Sequence, residues 1–335
     1  MLIGIMNSSI VKHLDSKIVF QREVLKYSNK HPYKHLKDAC PVFDGSLWHL
    51  FGTADTRASG DKGKKGCVEV MHATSFSLKG PWQVHSGVKL YGLIGLHPCA
   101  PGVVYSSIDN TFYMFIHTSF ILNGGTIECL KSTDKGNSFY YVNTVIRSLP
   151  LSNEERIYDP HPAEIFGQKY IIYTSSIKDN DFSFKIVKSI NNSWDSKWEK
   201  MNQILQESDI FFQNQKNSIG REWGIEGAQL IELPNKKILL NAVCFLTEGK
   251  ETPPGKKQRF FLGIADKVSG PYKILGPVLS PTINGWESGE NGHATIVIEK
   301  EEINFFYHAR NFNIVHPVWR YGIAKCNTSQ IIEYC

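Results

Sequence analysis

Five stretches of the chain repeat one grammar, and that repetition limits the possible folds more than any other feature. Each opens with small or polar residues, runs into an apolar strand, turns, and enters a second, aromatic-rich strand. The first is D-A-C-P-V-F-D-G-S-L-W-H-L-F-G-T from Asp38, and the second is A-P-G-V-V-Y-S-S-I-D-N-T-F-Y-M-F-I-H-T-S from Ala100. The third is D-P-H-P-A-E-I-F-G-Q-K-Y-I-I-Y-T-S from Asp159. The fourth is E-G-A-Q-L-I-E-L-P-N-K-K-I-L-L-N-A from Glu226, and the fifth is H-A-T-I-V-I-E-K-E-E-I-N-F-F-Y-H-A-R from His293. The openings lie 62, 59, 67 and 67 residues apart. Self-similarity at such a period marks a repeat architecture. The central turns, among them Asp44-Gly45, Asp109-Asn110 and Pro234-Asn235, carry hairpin chemistry.

A third apolar strand and a polar outer turn follow in every unit, as in C-V-E-V-M-H-A-T-S-F-S-L-K-G-P-W and F-L-G-I-A-D-K-V-S-G-P-Y. In four units an aromatic then starts a fourth strand. Ser132 to Phe139, S-T-D-K-G-N-S-F, fits the Asp-box turn S-x-D-x-G-x-[ST]-[FW]. Four-stranded units at this spacing predict an all-β, five-bladed β-propeller around a central channel. Residues 1–335 then form a single propeller domain, with residues 1–35 as the segment that closes the ring. Radial repetition leaves few exposed sheet edges, so a chain this rich in strands stays soluble. A pair of β-sandwiches would not explain why every unit opens on a polar or small residue. Helix content should be low, with Glu199 to Phe212 the best helical or irregular insertion.

Composition narrows the function. Hydrophobic residues make up 41% of the 335-residue chain, enough for a large core, and the net charge of +5 is spread thinly. Lys62, Lys64 and Lys65 sit among glycines and read as a solvated loop, so no nucleic-acid partner is expected. No stretch approaches the ~20 apolar residues of a membrane helix, and no membrane partner is expected. The first residues lack a basic n-region, and the seven cysteines are an odd number without a C-x-x-C pair. Both points favour a cytoplasmic, reducing location. No H-E-x-x-H pair and no glycine-rich phosphate loop appear, so neither catalytic zinc nor a nucleotide fold is expected.

In a propeller the innermost strand of every blade lines the channel, so the five openings converge in space. Three are acids, Asp38, Asp159 and Glu226; a fourth is His293, and blade two adds His97 just before Ala100. One Asp at a strand end is ordinary turn chemistry. Three acids at equivalent phases are not. Converging carboxylates repel, so one of them should hold its proton at neutral pH. A protonated acid beside an ionised base is what glycoside hydrolysis requires.

With these residues in this order, the chain resembles the five-bladed propeller glycosidases of glycoside hydrolase family 43 and its relatives, from about Leu36 to Lys325. That resemblance implies an Asp general base at Asp38 and a second Asp at Asp159, which tunes and orients the acid. It implies a Glu general acid at Glu226 and a channel-axis histidine at His293. It also implies a carbohydrate substrate, no required cofactor, and room for a structural calcium or water cluster beside His293. Two departures stand out: Asp-Ala-Cys-Pro in blade one where the family often has Asp-Pro, and Glu-Gly-Ala where it usually has Glu-Gly-Pro. The implied mechanism is inverting, with acid and base about 6.5–9.5 Å apart; a gap of about 5–5.5 Å would make Asp38 the nucleophile of a retaining fructosyl-type hydrolase or glycosyl transferase. A non-catalytic glycan- or protein-binding propeller is the alternative from another class, but a pure binder has no use for mutually repelling acids. Among further substrate contacts, Trp223 offers an apolar platform for a sugar face, and Arg310 could reach a hydroxyl or carboxylate. Glu222 and Glu290 are additional candidate mouth acids.

Overall fold

The computed structural model describes residues 18, 20–56, 68–119, 124–148, 155–177, 180–206, 224–246, 257–279, 282, 285–311 and 318–333. Five antiparallel sheets follow one another along the chain. Blade one is β2 (His35–Phe43), β3 (Trp48–Asp55), β4 (Val68–Ser75) and β5 (Gln83–Val84). Blade two is β7 (Cys99–Ser106), β8 (Thr111–Thr118), β9 (Thr126–Ser132) and β10 (Ser138–Arg147), with β6 (Lys89–Tyr91) added in parallel along the edge of β10. Blade three is β11 (Glu155–Ile165), β12 (Gln168–Ile177) and β13 (Asn180–Ser189), edged by β14 (Trp198–Lys200) and β15 (Leu205–Gln206). Blade four is β16 (Ile225–Glu232), β17 (Ile238–Leu246), β18 (Lys257–Ala265) and β19 (Lys273–Val278). Blade five is β20 (Glu290–Glu299), β21 (Glu302–Arg310) and β22 (Arg320–Asn327), and its outer strand is β1 (Gln21–Val24) from the other end of the chain. This is a five-bladed β-propeller, and β1 pairs antiparallel with β22 to close it.

The core lies between the sheets. Five apolar clusters each join two neighbouring blades, such as Cys40, Val42 and Phe51 of blade one with Val103, Phe112 and Met114 of blade two. Another joins Phe306, Tyr321 and Ile323 of blade five to Leu50 and Met71 of blade one. A middle strand is therefore covered on both faces. In β8, T-F-Y-M-F-I-H-T, every residue is buried, and the alternation of a half-exposed strand disappears.

Glu199 to Phe212 corrects the sequence reading in its described part. Residues 198–200 and 205–206 are edge strands on β13, with Leu205 buried, and 207–212 lie outside the described residues. An outer strand faces solvent and carries too few apolar residues to announce itself. The one helix among the described residues, α1 (Thr328–Ile332), is five residues long and capped by Asn327. The Asp-box forms as the motif implies. Asp134 accepts hydrogen bonds from the Ser132 hydroxyl at 2.7 Å and from the Ser138 amide at 3.0 Å, while Phe139 is fully buried beneath the turn.

Candidate active site

In every blade the innermost strand slips its register against the second strand at one place. The slips fall between Lys37 and Cys40, Cys99 and Gly102, Tyr158 and His161, Glu226 and Gln229, and Gly292 and Thr295. Inside each slip sits a left-handed residue: Asp38 (φ 58°), Ala100 (48°), Asp159 (50°), Gly227 (61°) and His293 (44°). A bulge adds one unpaired residue and re-aims its side chain, and a left-handed non-glycine residue is uncommon. Five such residues at one level make a ring. They line a cavity of about 30 Å³ on the axis, room for roughly two waters, to which all five blades contribute.

The ring corrects the phase of blade four. Its bulge residue is Gly227, not Glu226. Glu226 occupies the preceding position, held elsewhere by Lys37, Cys99, Tyr158 and Gly292. Glycine follows Glu226 for two reasons: the left-handed φ, and a Cβ that would stand 2.8 Å from His293 Nδ1.

Four bulges are capped from the blade before. The residue paired with each pre-bulge position accepts the next blade's bulge amide. Thr53 Oγ1 accepts Ala100 N–H at 2.8 Å, His117 Nδ1 accepts Asp159 N–H at 3.1 Å, Thr174 Oγ1 accepts Gly227 N–H at 3.3 Å, and His308 Nδ1 accepts Asp38 N–H at 3.1 Å. Val243 holds that place in blade four and has no acceptor to offer His293.

His293 is the hub. Its Nε2 lies 2.8 Å from Glu226 Oε1 and 3.8 Å from Asp159 Oδ2, and its Nδ1 lies 3.3 Å from Asp38 Oδ1. Burial opposes charge on this ring, but Glu226, Asp159 and Asp38 outweigh it and raise the pKa to about 9, so the imidazole is charged at neutral pH. Burial pushes Asp38 up, yet His293 and Lys37 pull it below its ordinary value; Glu226 is lowered against burial in the same way. Asp159 goes the other way. Burial, with Glu226 and Asp38 alongside, carries it to about 7 despite His293 and Lys37. Asp159 is thus the carboxyl that exchanges its proton near neutral pH in the substrate-free site, while Glu226 is ionised.

Around the hub stands a supporting layer. Gln258 Nε2 donates to Glu226 Oε1 at 3.0 Å, and His308 Nε2 lies 3.0 Å from Gln258 Oε1. Glu290 accepts the Gln258 backbone N–H at 3.0 Å and pairs with Arg310. Arg310 lies over the Trp319 ring at 4.3 Å, and Lys37 over the same ring at 5.5 Å. Burial alone would lower the Lys37 pKa, but Asp38, Glu226, Asp159 and Glu290 raise it above its ordinary value.

The structure brings Asp38, Asp159, Glu226 and His293 into one cluster. Arg310 stands behind it, engaged by Glu290. Glu290 is 1% exposed and is a buried support, not a mouth acid. His97 is exposed on the loop before β7, with no contact to the acids among the described residues. Blade two carries Ala100 and Cys99 at the two phases that matter, so it adds no ionised group; burial pushes the Cys99 thiol up to about 12. Trp223 and Glu222 lie outside the described residues. Lys37, His117 and Gln258 escaped the sequence reading, and His308, read from Y-H-A-R as a buried, satisfied histidine, is fully buried. Lys37 had a signal, since it sits at the phase of Glu226. His117 and His308 also had one, in matching places within F-I-H-T and F-Y-H-A. Gln258 had none.

Asp159, Glu226 and His293 are near enough to share an ion. Calcium takes six to eight oxygens, and the side-chain oxygens lining the axial cavity are those of Asp38, Asp159 and Thr295.

No family model matches the chain, and no curated protein does. Solved structures do. The catalytic domain of a family 62 α-L-arabinofuranosidase from Coprinopsis cinerea aligns over 93% of this chain and 98% of its own, with a TM-score of 0.65 and 14% identity. The likeness is one of fold. The native arabinanase of Bacillus subtilis covers 88% of this chain and 94% of its own, at 0.59 and 17%. The Cellvibrio cellulosa α-L-arabinanase, solved with arabinohexaose, covers 90% and 98%, at 0.59 and 15%.

Proposed function

We propose that this propeller is an inverting glycoside hydrolase in which Glu226 is the general acid, Asp38 the general base and Asp159 the modulator of the acid. The observation that carries the reading is the convergence of three carboxyls, Asp159 buried and Asp38 and Glu226 partly so, from three blades on one charged histidine at the channel axis. Asp38 and Glu226 meet different nitrogens of His293, Nδ1 at 3.3 Å and Nε2 at 2.8 Å. Asp38 is held ionised, as a base must be. It would take a proton from a water on one face of the sugar while Glu226 protonates the departing glycosidic oxygen on the other. Glu226 is ionised in the free site, so it must load a proton as substrate enters. A sugar that displaces water would favour its neutral form, and Asp159, at about 7, exchanges a proton close by. Among the described residues the Lys37 ammonium has no hydrogen-bond acceptor, which leaves its N–H groups for sugar hydroxyls.

The structural neighbours support α-L-arabinofuranosyl linkages as the first substrates to try. The test is a screen of aryl arabinofuranosides, xylosides, galactosides and fructosyl donors, with the product anomer followed by NMR. We expect inverted product and a 10²–10⁴-fold loss of kcat in Glu226→Gln, the usual worth of a general acid. Undiminished turnover in that variant would remove the proposal.

A further inference from the structure

Glu226 is tied to Asp38 by a second route, and its direction is fixed by the backbone. The Asp38 amide can only donate, so His308 Nδ1, 3.1 Å away, is bare. His308 is fully buried, and burial, with Lys37 and His293 near, keeps its ring neutral. Its one proton is therefore on Nε2, which faces Gln258 Oε1 at 3.0 Å. The Gln258 amide must then turn its NH₂ to Glu226 Oε1, also at 3.0 Å. Every member of the chain has a single admissible orientation. Oε1 of Glu226 consequently accepts from both Gln258 and His293. Oε2 has no partner among the described residues.

We infer that Gln258 is a positioning residue for Glu226: oriented by His308, it commits Oε1 to a fixed acceptor role and leaves Oε2 as the oxygen that carries the proton to the leaving group. This rests on the reading of Glu226 as the acid. The chain joins four strands, β2, β21, β18 and β16, so it also fixes the span between base and acid. A donor on a carboxylate favours its ionised form. Gln258 thus sets how tightly Glu226 holds its proton, which is what the alkaline limb of a pH–rate profile reports. The charged groups that share this influence are His293 on β20, Lys37 and Asp38 on β2, and Asp159 on β11; Glu290 and Arg310 form a pair behind Gln258.

The experiment needs no turnover. Side-chain carboxyl ¹³C NMR titration of the substrate-free protein gives the apparent pKa of Glu226, its resonance assigned by loss in Glu226→Gln. Gln258→Met keeps the shape and removes the donor, and the apparent pKa should rise by about one unit, the usual worth of a hydrogen bond to a charged group. Gln258→Glu keeps the acceptor for His308 and sets a carboxyl against Glu226, and the rise should be larger. If the enzyme turns over an aryl glycoside, the alkaline limb should move up in the same order. A Glu226 pKa that stays put or falls in both variants would overturn the inference. Failure of the glycosidase reading would appear instead as a wild type inert on every glycoside, while the titration still reports on Gln258.

Discussion

Two histidine clusters in this propeller are buried to similar depth and end in opposite charge states. At the channel mouth, His293 is 9% exposed and raised to about 9. In blade one, His72 is 2% exposed and lowered to about 3. Burial pulls both down. What separates them is their company. His293 faces three carboxyls. His72 lies flat against Phe51, with ring centroids 4.7 Å apart, and its Nε2 meets His49 Nδ1 at 2.9 Å. A buried imidazole takes its charge from its neighbours, and the same residue serves as a cationic hub in one place and an aromatic filler in the other.

Breaking the first cluster should give the largest effect. His293→Asn keeps a polar residue that tolerates the left-handed backbone but leaves buried Asp159 and partly buried Asp38 and Glu226 without their cation. Removing one partner of a buried ion pair costs about 3–5 kcal/mol, and a loss of that order is expected in denaturant unfolding at pH 7. The wild-type sign follows from the raised pKa: the stability contributed by His293 is complete below its unfolded value near 6.5 and is lost as pH rises through about 9. The variant should lack that decline. Through that linkage its deficit against wild type should be larger at pH 5 than at pH 8. An equal deficit at pH 5 and pH 8 would mean that His293 acts by packing alone.

The second cluster gives a smaller effect of opposite sense. His72 is depressed from about 6.5 to about 3, so its contribution is complete above pH 6.5 and is lost as pH falls toward 3. His72→Phe extends the stack on Phe51 and removes the proton site. Unfolding free energies measured from pH 7 to pH 4 should fall less steeply than in wild type, by about 3 kcal/mol over that range. Parallel curves would show that His72 does not titrate with unfolding. His49, His85, Asp44 and Asp134 sit near enough to share the slope.

The sequence disclosed the propeller and the mouth acids for one reason and hid the supporting groups for another. Repeats at a regular step carry the blade plan, and acids at a shared phase stand out against small residues elsewhere. Asp38, Asp159 and His293 share that phase because each sits in a left-handed bulge. Glu226 was found one position out of phase, since the bulge that re-aims it belongs to Gly227. Gln258 was invisible: it reaches Glu226 from the third strand of its blade, where position in the repeat says nothing about the channel. The histidine stack of blade one was hidden likewise, because H-L-F and M-H-A look like ordinary strand residues until two strands align them.

Asp44→Asn should be the mildest change and the sharpest test of how many carboxyls a buried histidine needs. Asp44 Oδ2 lies 3.1 Å from His49 Nε2 and is the one carboxylate in contact with the blade-one cluster among the described residues. It raises His49, yet burial prevails and His49 stays below its ordinary value. One acid is outweighed where three are not. The asparagine can still accept at Oδ1 the Ser46 and Leu47 amides that Asp44 holds at 2.8 and 2.7 Å, so the turn should survive. Histidine NMR titration should place His49 lower still, by about half a unit, with a stability change at pH 7 under about 1 kcal/mol. A His49 pKa that rose in this variant would mean that Asp44 already failed to stabilise the charged ring, and the contrast between the clusters would then rest on desolvation alone.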